Sequence, residues 1–305
     1  MQKAIVLGAN GYIGSNISKF LSGKGIRVIA LVDGRFDYRN LVNIDNISCK
    51  EFNLDNLSDF PSDETYGADI IYHLAWEGVN AKYKNEVEVQ AQNVIYGLNV
   101  LEFAKKNKIK RVLIPGSAAE VSCGDGIITG KEKPAPSDLY SAAKVATRFL
   151  CQTYALQNGI DLIWTLITSI YGPGRDSGDL ISYTIKSLLK GEKPSYTNLE
   201  QQWDYIYIDD LLEALYLLGM NGVGGKIYPV GSGAHKIMLD YVLCIRDMIK
   251  PNACLGIGEL PYKNPNKIDN QIMDISELMN DTNFKPKYDF VTGINKTILY
   301  FRKLL

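Results

Sequence analysis

Three glycines at spacing three, Gly8-Ala-Asn-Gly11-Tyr-Ile-Gly14, stand between the apolar run Lys3–Leu7 and an amphipathic stretch over residues 13–21. A β-rich run that breaks at glycine and re-enters at helical period reads as strand, tight turn and helix. Glycine at such positions lets the main-chain amides at the helix start approach an anion such as a pyrophosphate closely. A purely structural turn is the alternative, and the strand before and helix after weigh against it.

The alternation continues. Candidate strands fall at 27–32, 69–73, 111–115 and 162–167, with amphipathic stretches at 86–107 and 138–157 between them. Repeated βαβ units predict an α/β chain, a Rossmann-type doubly wound parallel sheet. After Ile170 the pattern loosens into YGPGRDSGD, a helical 180–190, a polar stretch, and WDYIYIDDLLEALYLL, read as a strand entering a helix. The expected organisation is a dinucleotide-binding domain from residues 1–168 and 204–222, and a smaller, discontinuous carboxyl-terminal substrate lobe from 169–203 and 223–305. Such a lobe would cover the carboxyl edge of the sheet, where open α/β sheets bind ligands.

Composition removes several function classes. Lys and Arg (33) nearly balance Asp and Glu (34), so nothing in bulk charge favours nucleic acid or an anionic membrane as partner. Five cysteines (Cys49, Cys123, Cys151, Cys244, Cys254) without a CxxC pair argue against a disulfide framework or metal site, and no metal is expected. With no leader-like or membrane-length apolar segment, the expected location is the cytoplasm. Only His73 and His235 are present, which leaves little room for histidine catalysis.

Tyr140 and Lys144 lie four apart in YSAAK on a predicted helix and so share one face. An ammonium beside a phenol stabilises the phenolate, which would make Tyr140 an acid/base at neutral pH. Upstream, RVLIP runs into Gly116-Ser117-Ala-Ala-Glu, placing Ser117 at a strand's carboxyl end beside the same substrate oxygen. A helix-cap serine is the bland reading of Ser117 alone. The second strand ends in VDGR, where Asp33 favours the ribose of NAD and Arg35 the 2′-phosphate of NADP, or both are solvated loop charges.

GANGYIG, DIIYHLAW, Asn93 opening NVIYGLNVLEFAKK, Ser117, YSAAK, YGPG and WDYIYIDD together resemble the extended short-chain dehydrogenase/reductases, the NAD-dependent epimerase/dehydratase family. The resemblance runs nearly end to end, through GSG at 231–233 and MDISELMNDTNFKPKYDFVTGI. It implies that Ser117, Tyr140 and Lys144 are catalytic. It also implies that NAD(H) or NADP(H) is held by Gly8, Gly11, Tyr12, Ile13, Gly14, Asp33, Arg35, Asn53, Leu54, Leu74, Ala75, Asn93, Tyr140 and Lys144. The implied substrate is a nucleotide-diphosphate-sugar, contacted by Trp76, Ser117, Ala118, Ser169, Arg175 and Trp203, and the implied assembly is a homodimer through the helices at 86–107 and 138–157.

Departures from the family pattern narrow the reaction. Dehydratases of the family carry an acidic pair directly after the catalytic Ser or Thr, whereas Ala118 and Ala119 stand here, which disfavours 4,6-dehydration. Trp203 and Leu166 replace arginines common in the family, Ser169 replaces an asparagine, and Arg175 is a candidate replacement for the diphosphate contact. Trp203 is equally readable as a core aromatic. GSAAE, YHLAWEG and WDYIYI look most like the CDP-abequose and CDP-paratose synthase type of 4-keto reductase. The expectation is NAD(P)H-dependent reduction of a nucleotide-diphosphate-4-keto-6-deoxy-sugar. A nucleotide-sugar 4-epimerase and a non-enzymatic dinucleotide sensor or scaffold are the alternatives.

Overall fold

The computed structural model describes residues 1–79, 82–121, 126–262 and 270–304. Cys123 lies outside the described residues, and the other four cysteines are unpaired. Among the described residues the central sheet has seven strands: β1 (Lys3–Leu7), β2 (Arg27–Val32), β3 (Ile47–Glu51), β4 (Ile70–His73), β5 (Arg111–Ser117), β6 (Asp161–Ile167) and β7 (Ile227–Val230). Their spatial order is β3-β2-β1-β4-β5-β6-β7, and every neighbouring pair is parallel. Ala4, Ile5, Val6, Ile70, Ile71 and Tyr72 are fully buried, as strands covered on both faces require. The helices packed on this sheet include α1 (Tyr12–Gly23), α2 (Val87–Lys106), α3 (Leu139–Asn158), α5 (Ile208–Asn221) and α7 (Ser276–Thr282). Helices α4 (Leu180–Leu189), α6 (Met238–Ile249) and α8 (Phe290–Leu304) pack chiefly on one another.

α1 packs with α5, and α2 with α3. The strand order reverses at β1, so the ends of β1 and β4 frame a switch-point crevice of the kind that binds ligands in doubly wound sheets. The Rossmann-type reading holds. Two strands escaped the sequence patterning. β3 is a half-solvated edge with the polar sequence ISCKE, and β7 is only four residues long. Because β7 pairs with β6, the main sheet reaches to Val230, and the segment from 223 cannot be assigned wholly to the smaller lobe.

Short strand pairs build the rest: Ser169–Tyr171 with Tyr205–Tyr207, Gln202–Trp203 with Lys236–Ile237, and Ile127–Ile128 with Ile272–Met273. Tyr171, Tyr205, Tyr241 and Phe290 pack edge-on or tilted around one another and fix these pieces together. Asp204, fully buried, pins the joint. Its carboxylate accepts from the Ser232 amide (2.9 Å), the Ser232 hydroxyl (2.7 Å) and the Gly233 amide (2.9 Å). Asp204→Ala removes the carboxylate acceptor of the part-buried Ser232 and Gly233 amides and should cost about 2 kcal/mol, read as a lower Tm in thermal unfolding.

Candidate active site

The turn from β1 into α1 is built from main chain alone. Gly8 has φ +74°, and a Cβ there would stand 2.6 Å from the backbone of Ala75, in the loop after β4. A Cβ on Gly14 would lie 2.1 Å from the Gly8 carbonyl oxygen. Gly11 precedes α1 without a side-chain cap, and no acidic residue occupies the first turn. The amides and positive pole of α1 are therefore free of any competing side chain, and the cradle fits the pyrophosphate of a dinucleotide. Tyr12 donates its hydroxyl proton to the Pro173 carbonyl (3.3 Å), and Ile13 packs on the core.

Around this cradle the other expected cofactor residues fall into place unevenly. Asn10, which the sequence reading passed over, clips the turn to the end of β2 through the Asp33 carbonyl (2.9 Å) and amide (3.3 Å). Asp33 and Arg35 pair with each other, with contacts down to 2.6 Å, and that pairing holds the Asp33 carboxyl below its ordinary range. The two charges that suggested opposite cofactors are thus one ion pair. The Leu74 amide donates to the Leu7 carbonyl, and Asn53 caps the turn Leu54–Asp59. Asn93 is buried, and its amide group is engaged by the main chain of Glu77 (3.0 and 2.9 Å). It shapes the loop after β4.

Ser117, Tyr140 and Lys144 converge where β5 ends and α3 begins. Asp138 caps α3 by accepting from the Ser141 amide (2.8 Å), which sets the register of the helix and hence of Tyr140 and Lys144. Ser117 closes β5. Its Oγ accepts from the Ala119 amide (3.2 Å), and its hydroxyl lies near enough to the Tyr140 phenol to favour the phenolate. Lys144 donates to the Pro115 carbonyl (2.8 Å) and stands 3.5 Å from the centre of the Trp76 ring. Trp76 in turn meets Tyr140 edge-on at 6.0 Å and donates its indole proton to Gln90 (3.2 Å).

The electrostatics differ from the sequence expectation. Burial pushes the Tyr140 phenol up to about 12, against the Ser117 hydrogen bond that favours the phenolate. Burial also pulls Lys144 down to about 7, against the negative charge of Glu120, which holds it up. Enclosing both groups in one pocket thus keeps the phenol protonated, an effect that spacing along a helix could not reveal. His73, buried near Lys144, falls to about 3 through its burial and the lysine charge, and stays neutral.

On the substrate side, Trp203 donates its indole proton to the Ser169 hydroxyl (3.0 Å), so two expected contacts are partners of each other. Arg175 pairs with Asp179 at 3.3 Å, lies over the Tyr12 ring at 5.6 Å, and its charge acts on Tyr140. Ala118 is buried in the core, so this expected substrate contact offers no exposed side chain. The residue most plainly missed is Glu120. It is fully buried and accepts from the Ser117 amide (2.8 Å), and the S-x-x-E spacing of a capping box was its signal. Among the described residues no cluster of side chains suits a metal ion.

Residues 4–231 match the NAD dependent epimerase/dehydratase family. The chain is 24% identical to a dTDP-glucose 4,6-dehydratase of Salmonella typhimurium over 333 aligned residues, covering 98% of this chain and 92% of the relative. It is likewise 24% identical to a UDP-glucuronate 4-epimerase of Thermodesulfobacterium geofontis over 318 residues, covering 96% and 94%. Its fold superposes with a TM-score of 0.86 on a dTDP-glucose 4,6-dehydratase of Bacillus anthracis solved in complex with NAD, at 20% identity and with 99% and 97% of the two chains covered. With a dinucleotide cradle at one end of the sheet and Ser117, Tyr140 and Lys144 beside it, this chain belongs to the NAD dependent epimerase/dehydratase family.

Proposed function

We propose that the protein reduces the keto group of a nucleotide-diphosphate-4-keto-6-deoxy-sugar, with Tyr140 as proton donor. One arrangement carries the reading: the Tyr140 phenol stands beside Ser117 and one helical turn from Lys144, and burial favours its neutral form. A neutral phenol arrives ready to protonate a carbonyl oxygen, whereas oxidation of a hydroxyl must begin from phenolate. Dehydration would also want a carboxylate facing the sugar. Ala118 and Ala119 offer none, and Glu120 is turned into the interior against Arg148.

When bound, the nicotinamide dinucleotide supplies the hydride that adds to the carbonyl carbon. Tyr140 gives its proton to the carbonyl oxygen, and Ser117 donates a hydrogen bond to the same oxygen as it gains charge. Lys144, held by Pro115, keeps a positive charge close to the phenolate that is left. Gly8, Gly11 and Gly14 would seat the pyrophosphate, and Asp33 with Arg35 would meet the adenosine ribose. Trp76, Ser169, Arg175 and Trp203 are the proposed sugar and diphosphate contacts. A 4-epimerase is the second reading, favoured by the likeness to a relative named UDP-glucuronate 4-epimerase.

We further propose a homodimer through α2 and α3. These helices pack on each other yet leave Val87, Ile95, Phe149, Leu150 and Leu156 exposed, an apolar face that a second copy would cover. No helix among the described residues is long and apolar enough to cross a membrane.

Absorbance of NADH or NADPH in the presence of a nucleotide-4-keto-6-deoxy-sugar should fall in step with substrate consumed. Tyr140→Phe should lower kcat roughly 10²- to 10⁴-fold while leaving dinucleotide affinity unchanged. Stable absorbance, with recycled nicotinamide and an inverted sugar centre, would replace the reductase by the epimerase. Gly14→Ala should abolish dinucleotide binding measured by calorimetry, because the new methyl displaces the Gly8 carbonyl. Phe149→Glu with Leu156→Glu should convert a sedimenting dimer into monomer, and a wild type that sediments only as monomer at micromolar concentration would refute the dimer.

A further inference from the structure

α3 carries Tyr140, Lys144 and Arg148 at spacing four, so the three project from one helical face. Each meets the end of β5 or the turn after it. Tyr140 meets Ser117, Lys144 meets the Pro115 carbonyl, and Arg148 meets the Glu120 carboxylate, with Nε 3.1 Å from Oε2. The third contact touches no substrate. Arg148 and Glu120 are both buried, and the other oxygen of Glu120 accepts from the Ser117 amide (2.8 Å) and the Trp164 indole (3.3 Å).

Gly116 makes room for this arrangement. A Cβ there would stand 2.3 Å from Glu120 Oε1 and 2.2 Å from Trp164 Nε1, so any side chain would expel the carboxylate from beneath Ser117. Burying an ion pair is a weak route to stability, since apolar residues of similar volume often serve as well. The position of the pair directly behind the reacting groups points to another use.

We propose that Glu120 and Arg148 form one buried positioning unit for the site: Glu120 fixes the main chain of Ser117 and sets its carboxylate behind Lys144, and Arg148 is that carboxylate's ion-pair partner. Burial pushes the Glu120 carboxyl up, and the Ser117 amide, Arg148 and Lys144 oppose that shift. Neither residue touches the sugar. The groups facing Lys144 are Glu120 from the turn after β5, His73 from β4 and Trp76 from the loop after it, with Tyr140 and Arg148 one turn away on its own helix. His73 is neutral, which leaves Glu120 as the counter-charge among the described residues. The role in turnover rests on the proposed assignment of Ser117, Tyr140 and Lys144 as the reacting groups.

The test begins without substrate or cofactor. In protein carrying lysine labelled with 13C at the ε position, the Lys144 resonance is identified by its loss in Lys144→Met and followed against pH. The wild-type midpoint is expected near 7, and Glu120→Gln should lower it by about one pH unit. Arg148→Met should move it the same way, because an unpaired buried carboxylate takes up a proton. Should a single variant fail to fold, Glu120→Gln combined with Arg148→Met removes both charges together and should still lower the midpoint. In turnover, the alkaline limb of kcat/KM should shift in the same direction, giving about a tenfold loss above the limb. An unmoved midpoint in Glu120→Gln and in the double variant, with only a lower Tm, would reduce the pair to a structural role. A wild type that turns over no nucleotide sugar would instead remove the proposed function, leaving the titration to judge the pair.

Discussion

The docking of α3 against the carboxyl end of β5 governs the site. One face of the helix makes three successive contacts with the chain from Pro115 to Glu120, and the first two bring a phenol, an ammonium and a serine hydroxyl into one pocket. The helix is held from its start by the Asp138 cap and ends at Gly159 in the left-handed conformation, so its register along the sheet is set at both ends. Shifting that register by one residue would rotate Tyr140 and Lys144 away from β5 together.

The glycine turn imposes a second constraint from the opposite side of the switch point. Gly8 lies on the backbone of Ala75, and Gly14 on the carbonyl of Gly8, so the turn, α1 and the loop after β4 form one piece. Trp76 follows Ala75 directly and contacts both Tyr140 and Lys144, which links the dinucleotide cradle to that pair within two positions of sequence. Asn93 and Gln90 from α2 hold the same loop, through Glu77 and Trp76. The geometry of Ser117, Tyr140 and Lys144 therefore depends on rigid elements of the sheet and its helices, while Arg175, Ser169 and Trp203 come from short strands and loops outside the main sheet.

Much of this was legible in the sequence because it depends on local period and spacing. The strand–glycine–helix pattern located the cradle, and YSAAK placed Tyr140 and Lys144 on one face. What escaped was set by tertiary context. β3 is a polar edge strand whose residues alternate between core and solvent too weakly to stand out, and β7 is a strand only by virtue of pairing with β6. Asp33 and Arg35 looked like competing cofactor determinants until their mutual ion pair was seen. The phenol was expected to be acidified by its lysine, but burial, which no spacing encodes, dominates both groups. Glu120 could have been found from its capping-box spacing to Ser117, and Arg148 from its place one turn after Lys144.

In the proposed reaction Tyr140 protonates an oxygen while hydride reaches the carbon bearing it. The most direct measurement uses reduced nicotinamide dinucleotide deuterated at the transferable position, a nucleotide-4-keto-6-deoxy-sugar and mass spectrometry of the sugar product. One deuterium retained at the former carbonyl carbon, with one equivalent of cofactor oxidised, is the predicted result. A product formed without deuterium and without cofactor consumption would contradict it.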